Sequence, residues 1–469
     1  MNKKLITLAV AAALAAPAAA MAEATIYGTI AGQITYEDVT NAIPPTIAGR
    51  QEFAPGTLVV DQVDGMPVYN TDTEFVNGVV LDANGDPVEI VRGQDFKGWG
   101  INQNGYLEGE NPANRFGIKG SEDLGNGLKA IYQVELGFNF GDTNIPGGAN
   151  GGISVRNSFV GLAGGFGTFL VGRHDTPMKI STGKLDLFSD TIGDYNGTVG
   201  FRDMRADNTI AYISPSFSGF SFMGALVAPG GGTAGYGANI NSDQINGAYS
   251  LAAIYNNGPF YASAAYESLS NEMFMSNDVS QAGEAGCVTD GIPDASCAFV
   301  GDDYNQWRFG LGLLDWNGFT LTAIYENQDN LPESQMRAGI TFIDSEGYVT
   351  NTSTSGFDSQ QLWQVQAGYA FGNNMFKAMY GAVDRGDARI FGAARDETVA
   401  IDNLGGIADA LSDDLAGDKS TWSVGFDHNF SKRTKAYVVY TAVDDDNKDN
   451  ITGYTTDWNG FSVGMTHKF

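Results

Sequence analysis

The side chains best suited to bond-making chemistry in this sequence are three histidines and two cysteines, and their spacing serves none of it. His174, His428 and His467 lie on separate segments, with no Ser or Cys nucleophile motif beside them. His174 next to Asp175 reads as a rim residue rather than a catalytic base. Gly230-Gly231-Gly232 lacks the following Lys-Ser/Thr of a phosphate loop. Asp82-Ala83-Asn84-Gly85-Asp86 begins like a calcium loop. Pro87, however, stands where Gly is wanted, and Gly93 where a Glu must complete the ligand set. Cys287 and Cys297 sit close together in a polar stretch; in an oxidising compartment they read as a local disulfide, with a pair of free thiols as the alternative. The expectation is a protein that is not an enzyme and carries no metal or cofactor.

Charged residues set inside alternating segments have more to say. Arg115 and Lys119 share one face of a strand-like run and Phe116 and Ile118 the other. Lys129, Gln133 and Glu135 alternate in the same way with Ala130, Tyr132 and Val134. If such strands cross a bilayer, a Lys or Arg on the lipid side costs about 2–4 kcal/mol at the midplane. The charged face must then line a wet interior.

The elements that would hold these faces recur along the whole chain. Ile26, Ile30, Ile34 and Tyr36 fall on one side of the first segment, with Thr25, Tyr27, Thr29, Gln33 and Thr35 on the other. Short connections at 123–127, 164–167, 216–219, 256–258, 317–318, 372–374 and 431–433 are rich in Gly and Asn, which tolerate positive φ. Seven hairpins plus a first and a last strand make sixteen. Between them lie long polar stretches at about 38–112, 141–152, 175–204, 230–245, 269–304, 328–359, 385–419 and 445–457. Within the seventh, Ile407–Leu415 is expected to form one or two helical turns. Short turns alternating with long loops describe an all-β, sixteen-stranded antiparallel transmembrane β-barrel, with turns on the periplasmic side and loops outside. Lipid offers no partner to a free sheet edge, so the sheet must close.

Composition agrees. The 469 residues include 28 Phe, 20 Tyr, 6 Trp and 62 Gly, too aromatic for disorder and rich in turn formers. A formal charge of −29 argues against a nucleic-acid partner. Lys3 and Lys4, the apolar run Leu5–Ala16 and Ala20-Met21-Ala22 read as a cleaved signal peptide over residues 1–22; the run is too short to span a membrane as a helix. Residues 23–469 are then one barrel domain, with a long loop insertion at about 38–112. That insertion carries thirteen Asp or Glu from Glu37 to Pro112 against Arg50, Arg92 and Lys97. Phe461, Val463, Met465, His467 and Phe469 share a face of the last strand.

Several of these segments resemble the Gram-negative general porins. They are Ala24-Thr25-Ile26-Tyr27-Gly28, the run Arg115-Phe116-Gly117-Ile118-Lys119-Gly120-Ser121-Glu122-Asp123-Leu124-Gly125, Arg156-Asn157-Ser158-Phe159-Val160-Gly161-Leu162, Phe166-Gly167-Thr168-Phe169-Leu170-Val171-Gly172-Arg173 and the terminal Phe469. The resemblance implies a homotrimer in the Gram-negative outer membrane, in contact with lipid and lipopolysaccharide. It also implies that the third long loop folds into each barrel and narrows the pore. Phe469 resembles the signal read by the barrel assembly machinery. By the same resemblance Arg115, Arg156 and Arg205 are the basic wall of the constriction, with Lys119, Arg173 and Arg202 as further members. Asp190, Asp194 and, more weakly, Asp186 are its acidic loop, although Gly193-Asp194-Tyr195-Asn196-Gly197 departs from the family's usual loop sequence. The expected function is passive diffusion of ions and small hydrophilic solutes with weak cation preference. A substrate-selective porin and a closed barrel acting as an adhesin remain open from the sequence.

Overall fold

The computed structural model describes residues 23–43, 94–101, 114–138, 153–228, 248–269, 303–330, 359–386, 417–446 and 457–469, with the backbone of short strands in the loops between. The expected signal peptide over 1–22, Asp82–Asp86, the glycines 230–232, Cys287, Cys297 and Ile407–Leu415 lie outside the described residues.

Among the described residues, sixteen long strands join into one closed antiparallel sheet. They are β1 Glu23–Ile43, β2 Arg115–Gly125, β3 Leu128–Phe138, β4 Ile153–Val155 with Ser158–Gly164, and β5 Gly167–Asp175. There follow β6 Arg205–Ile213, β7 Phe220–Val227, β8 Ala248–Asn257, β9 Phe260–Leu269, β10 Tyr304–Trp316 and β11 Phe319–Asp329. The circuit ends with β12 Ser359–Phe371, β13 Asn374–Arg385, β14 Lys419–Asn429, β15 Thr434–Asp445 and β16 Trp458–Lys468. All seven expected tight turns are present. Asn126, Ser218 and Asn317 take φ of 52–54° there, beside Gly127, Gly219 and Gly318, also in the left-handed region.

Closure is made by β1 and β16, which pair from Thr29↔Lys468 to Val39↔Trp458. Gly28 and Phe469 exchange two backbone hydrogen bonds of 3.1 Å, so the last residue belongs to the ladder. On its other flank β1 pairs with β2 over Glu23–Thr29 and with a separate strand, Gln94–Ile101, over Ile34–Ile43. The first long loop therefore contributes a strand that continues the line of β2 upward.

The alternation read from the sequence becomes two surfaces. Ile26 is 61% exposed and Val463 46%, while Thr35 and Ser462 on the opposite face are fully buried. Outward aromatic rings gather at two levels. Near the turns, Phe169–Tyr212, Phe220–Tyr255, Phe319–Tyr369 and Phe376–Phe426 pack at tilted angles with centroids 4.5–4.9 Å apart. Toward the loops, Tyr36–Trp99, Tyr266–Trp307 and Trp422–Tyr440 lie at 4.3–5.2 Å. Two aromatic girdles around an apolar band are what membrane interfaces select, since these rings are apolar in body and polarisable at the edge.

Candidate functional site

The segment between β5 and β6 does not extend away from the barrel; it lies inside. It opens with α1, Pro177–Thr182, whose first turn is closed by the Thr176 hydroxyl accepting from Lys179 N, with Pro177 in the position that needs no donor. A second short helix, α2, Tyr195–Thr198, is capped by Asp194. Between and after them Leu185, Phe188, Ile192, Val199 and Phe201 are buried against the inner faces of β9–β16. Backbone groups of the loop are met by side chains of that wall and of the neighbouring β8. Ser250 accepts from Met178 N at 3.1 Å, Tyr261 donates to Ser181 O and Thr322 to Leu185 O at 2.8 Å each, and Gln366 accepts from Leu187 N at 2.6 Å. Gly310 makes room for the loop, because a Cβ there would come within 2.5 Å of Leu185 Cδ1.

Two buried cations fasten the loop. Arg308 on β10, fully buried, pairs with Glu326 through Nε and with Asp203 of the loop at 2.5 Å. It also donates to Thr182 Oγ1 and Arg202 O at 3.0 Å. Lys377 on β13 donates to Leu187 O at 2.7 Å and sits 3.1 Å from Asp427. The loop's backbone and these two cations thus find partners on the rear side of the lumen.

The opposite wall carries the arginines expected at the neck, each with a carboxylate in reach. Arg115 Nη1 lies 3.6 Å from Asp190 of the loop, joining wall and loop across the lumen. Arg156, at the break in β4, contacts Glu135 at 2.8 Å. Arg205, the first residue of β6, contacts Asp175 at 2.9 Å and Asn157 at 3.0 Å. Arg173 contacts Asp207 at 2.7 Å. Lys119 lies over the Tyr27 ring at 4.9 Å, and Tyr27 OH donates to Glu135. Arg202 stands apart from this set: its guanidinium covers the Tyr304 ring at 4.8 Å and its backbone joins the Arg308 network on the rear side.

Of the three loop carboxylates, Asp190 is half exposed and faces Arg115, with a φ of 62° that Asp tolerates better than most residues. The other two are turned to local structure. Asp194 accepts from Asn196 N and Asp190 N at 3.0 Å each, the usual work of an N-cap. Asp186 accepts from Phe188 N and Gln366 Nε2 at 2.9 Å each. Burial pushes the Asp186 carboxyl up to about 6, and burial, with Asp186 nearby, raises Asp194 as well. A carboxyl held above its unfolded value stabilises the fold in its protonated form; that contribution is lost as pH rises through about 6. Asp186→Asn should therefore raise stability at pH 7 and flatten its dependence between roughly pH 4 and 6, as read from unfolding midpoints across that range. An unchanged pH slope would count against this.

The histidines are spoken for locally. His174 Nδ1 is 2.8 Å from Asp175 O, His428 Nδ1 2.8 Å from Asn374 Oδ1, and His467 Nδ1 2.9 Å from Thr434 Oγ1. Sequence reasoning missed the wall carboxylates Glu135, Asp175 and Asp207 as partners, and Arg308, Lys377 and Gln366 as loop anchors. A signal existed for Arg308, a lone cation between Trp307 and Phe309 in an alternating strand, whose opposite neighbours are plainly outward.

Comparison with known proteins agrees with this geometry. The profile of the Gram-negative porin family matches residues 7–448. The major outer membrane protein P.IB of Neisseria meningitidis serogroup B is 27% identical over 364 residues, 76% of this chain and 82% of that protein. The P.IB protein of Neisseria gonorrhoeae is 33% identical over 156 residues, 32% of this chain and 40% of that protein. In fold, the anion-selective porin from Comamonas acidovorans superimposes with a TM-score of 0.53 at 17% identity, covering 96% of this chain and all of its own. A profile match over nearly the full length, on a closed sixteen-stranded barrel with an inward loop, establishes that the chain belongs to the Gram-negative porin family.

Proposed function

We propose that the chain forms a water-filled outer-membrane channel for passive diffusion of ions and small hydrophilic solutes, with weak cation preference. The observation that carries this reading is the one-sided packing of the inner loop. It fills the rear of the lumen and leaves a charged front wall on β2–β6. The neck comprises Arg115, Arg156, Arg205, Arg173 and Lys119 on that wall and Asp190 on the loop. Because four of those arginines have carboxylates within 3.6 Å, the wall's own field is largely cancelled. The acidic outer loops are then left to tip the balance toward cations, over a Debye length of about 8–10 Å in physiological salt.

In planar bilayers a salt gradient should give a small reversal potential of the cation-selective sign. Arg115→Ala and Asp190→Ala should each enlarge single-channel conductance, since each opens the bridge across the lumen. Both partners are partly exposed, so stability should change by no more than about 1 kcal/mol. An anion-selective reversal potential, or unchanged conductance in both variants, would overturn the selectivity and the neck respectively. We read the working form as a homotrimer, tested by a heat-sensitive oligomer on gels. Export by cleavage after Ala22 and recognition of Phe469 by the assembly machinery belong to the same reading.

A further inference from the structure

A cavity of about 370 Å³ lies on the turn side of the inner loop, between its Leu187–Thr191 stretch and the connection from β14 to β15. Its charged lining is Arg115, Lys432, Arg433, Lys435 and Lys468 against Asp186 and Asp190. In a chain with 55 Asp and Glu to 26 Lys and Arg, a recess with five cations to two carboxylates inverts the general balance. Arg115 answers Asp190, and Lys435 answers Asp427 at 3.1 Å. Among the described residues, no ion pair engages Lys432, Arg433 or Lys468. Their placement follows from the fold. Lys432 and Arg433 occupy the tight turn, Lys468 ends β16 beside it, and Lys468 N donates to Arg433 O at 2.8 Å, which holds the two ends together. Ser431 fixes the turn by accepting from Arg433 N and Thr434 N at 3.1 and 3.0 Å. Thr29, Thr434 and Thr466 supply hydroxyl-bearing walls.

We propose that this recess is a subsite for small multivalent oxyanions, of the phosphate or dicarboxylate class, reached from the turn-side mouth. Several cationic donors converging on a partly enclosed space suit the several acceptor oxygens of such a solute, and charge-assisted hydrogen bonds are the strong ones. The recess lies between the inner loop and the Ser431–Thr434 turn, so an anion entering by the turn-side mouth reaches it before passing Arg115 and Asp190. Occupation from the turn side is favoured.

This inference rests on the barrel being an open channel. With inorganic phosphate as probe, current through single channels should fall in a concentration-dependent way when it is added to the turn-side chamber, and far less from the loop side. The Lys432→Gln/Arg433→Gln double variant should raise the half-effective concentration at least five-fold, while Lys129→Gln, near a different turn, leaves it unchanged. Titrating the detergent-solubilised barrel with phosphate, free of phospholipid, should show the same loss in the double variant; binding there separates a solute site from capture of a lipid headgroup. Equal block from both sides, or an unaltered double variant, refutes the subsite. A barrel that conducts nothing refutes the channel reading instead.

Discussion

Arg308→Met is expected to release the inner loop. The guanidinium is fully buried and holds Glu326, Asp203, Thr182 and Arg202 O together. Removing it leaves two carboxylates buried without a counter-charge, a loss of about 3–5 kcal/mol where the structure cannot adapt. Here it can adapt, because the loop can move off the wall and admit water. The expected result is a barrel that still inserts but shows larger, flickering single-channel currents and a loop newly open to protease. Arg308→Met combined with Glu326→Gln and Asp203→Asn should restore much of the steady conductance, since no unpaired charge then remains. A quiet channel of native size in the single variant would show that Lys377, the wall's hydrogen bonds and the apolar contacts of Leu185 and Phe188 hold the loop without Arg308.

The second large effect belongs to the outer surface. Val424 lies in the middle of β14, 46% exposed, between Trp422 and Phe426 of the two girdles. Val424→Arg should lower folding stability in lipid vesicles by about 2–4 kcal/mol, whereas Val424→Leu should cost less than about 1.5 kcal/mol. Urea midpoints of vesicle-embedded protein measure both. A loss below about 1 kcal/mol for the arginine would mean that this face does not meet hydrocarbon.

Strand number, turn positions and the two faces were legible in the sequence because period-two alternation is a local property, and Gly or Asn at a turn answers a local demand on φ. Arg115 and Lys119 could be assigned to the lumen for the same reason: their neighbours Phe116 and Ile118 face out. The inner loop was harder. Asp186, Asp190 and Asp194 are equivalent as letters, and what separates them is which backbone amide or glutamine happens to lie beside each carboxylate. That depends on Gln366 and Asn196, one of them 180 residues away from Asp186. Glu135, Asp175 and Asp207 were not recognised as partners of the arginines because pairing across neighbouring strands depends on register, which alternation alone leaves open. The strand Gln94–Ile101 hid inside an acidic insertion whose polar composition reads as loop. Its partner β1 runs to Ile43, beyond the point where the sequence placed the loop's start.

The one-sided docking of the inner loop also sets the shape of what passes. With the inner loop seated on one wall and the charged side chains of β2–β6 left facing water, the passage should be flattened rather than round. Molecules of equal mass should then be sorted by their thinnest dimension, flat rings slipping through where branched or globular ones stall.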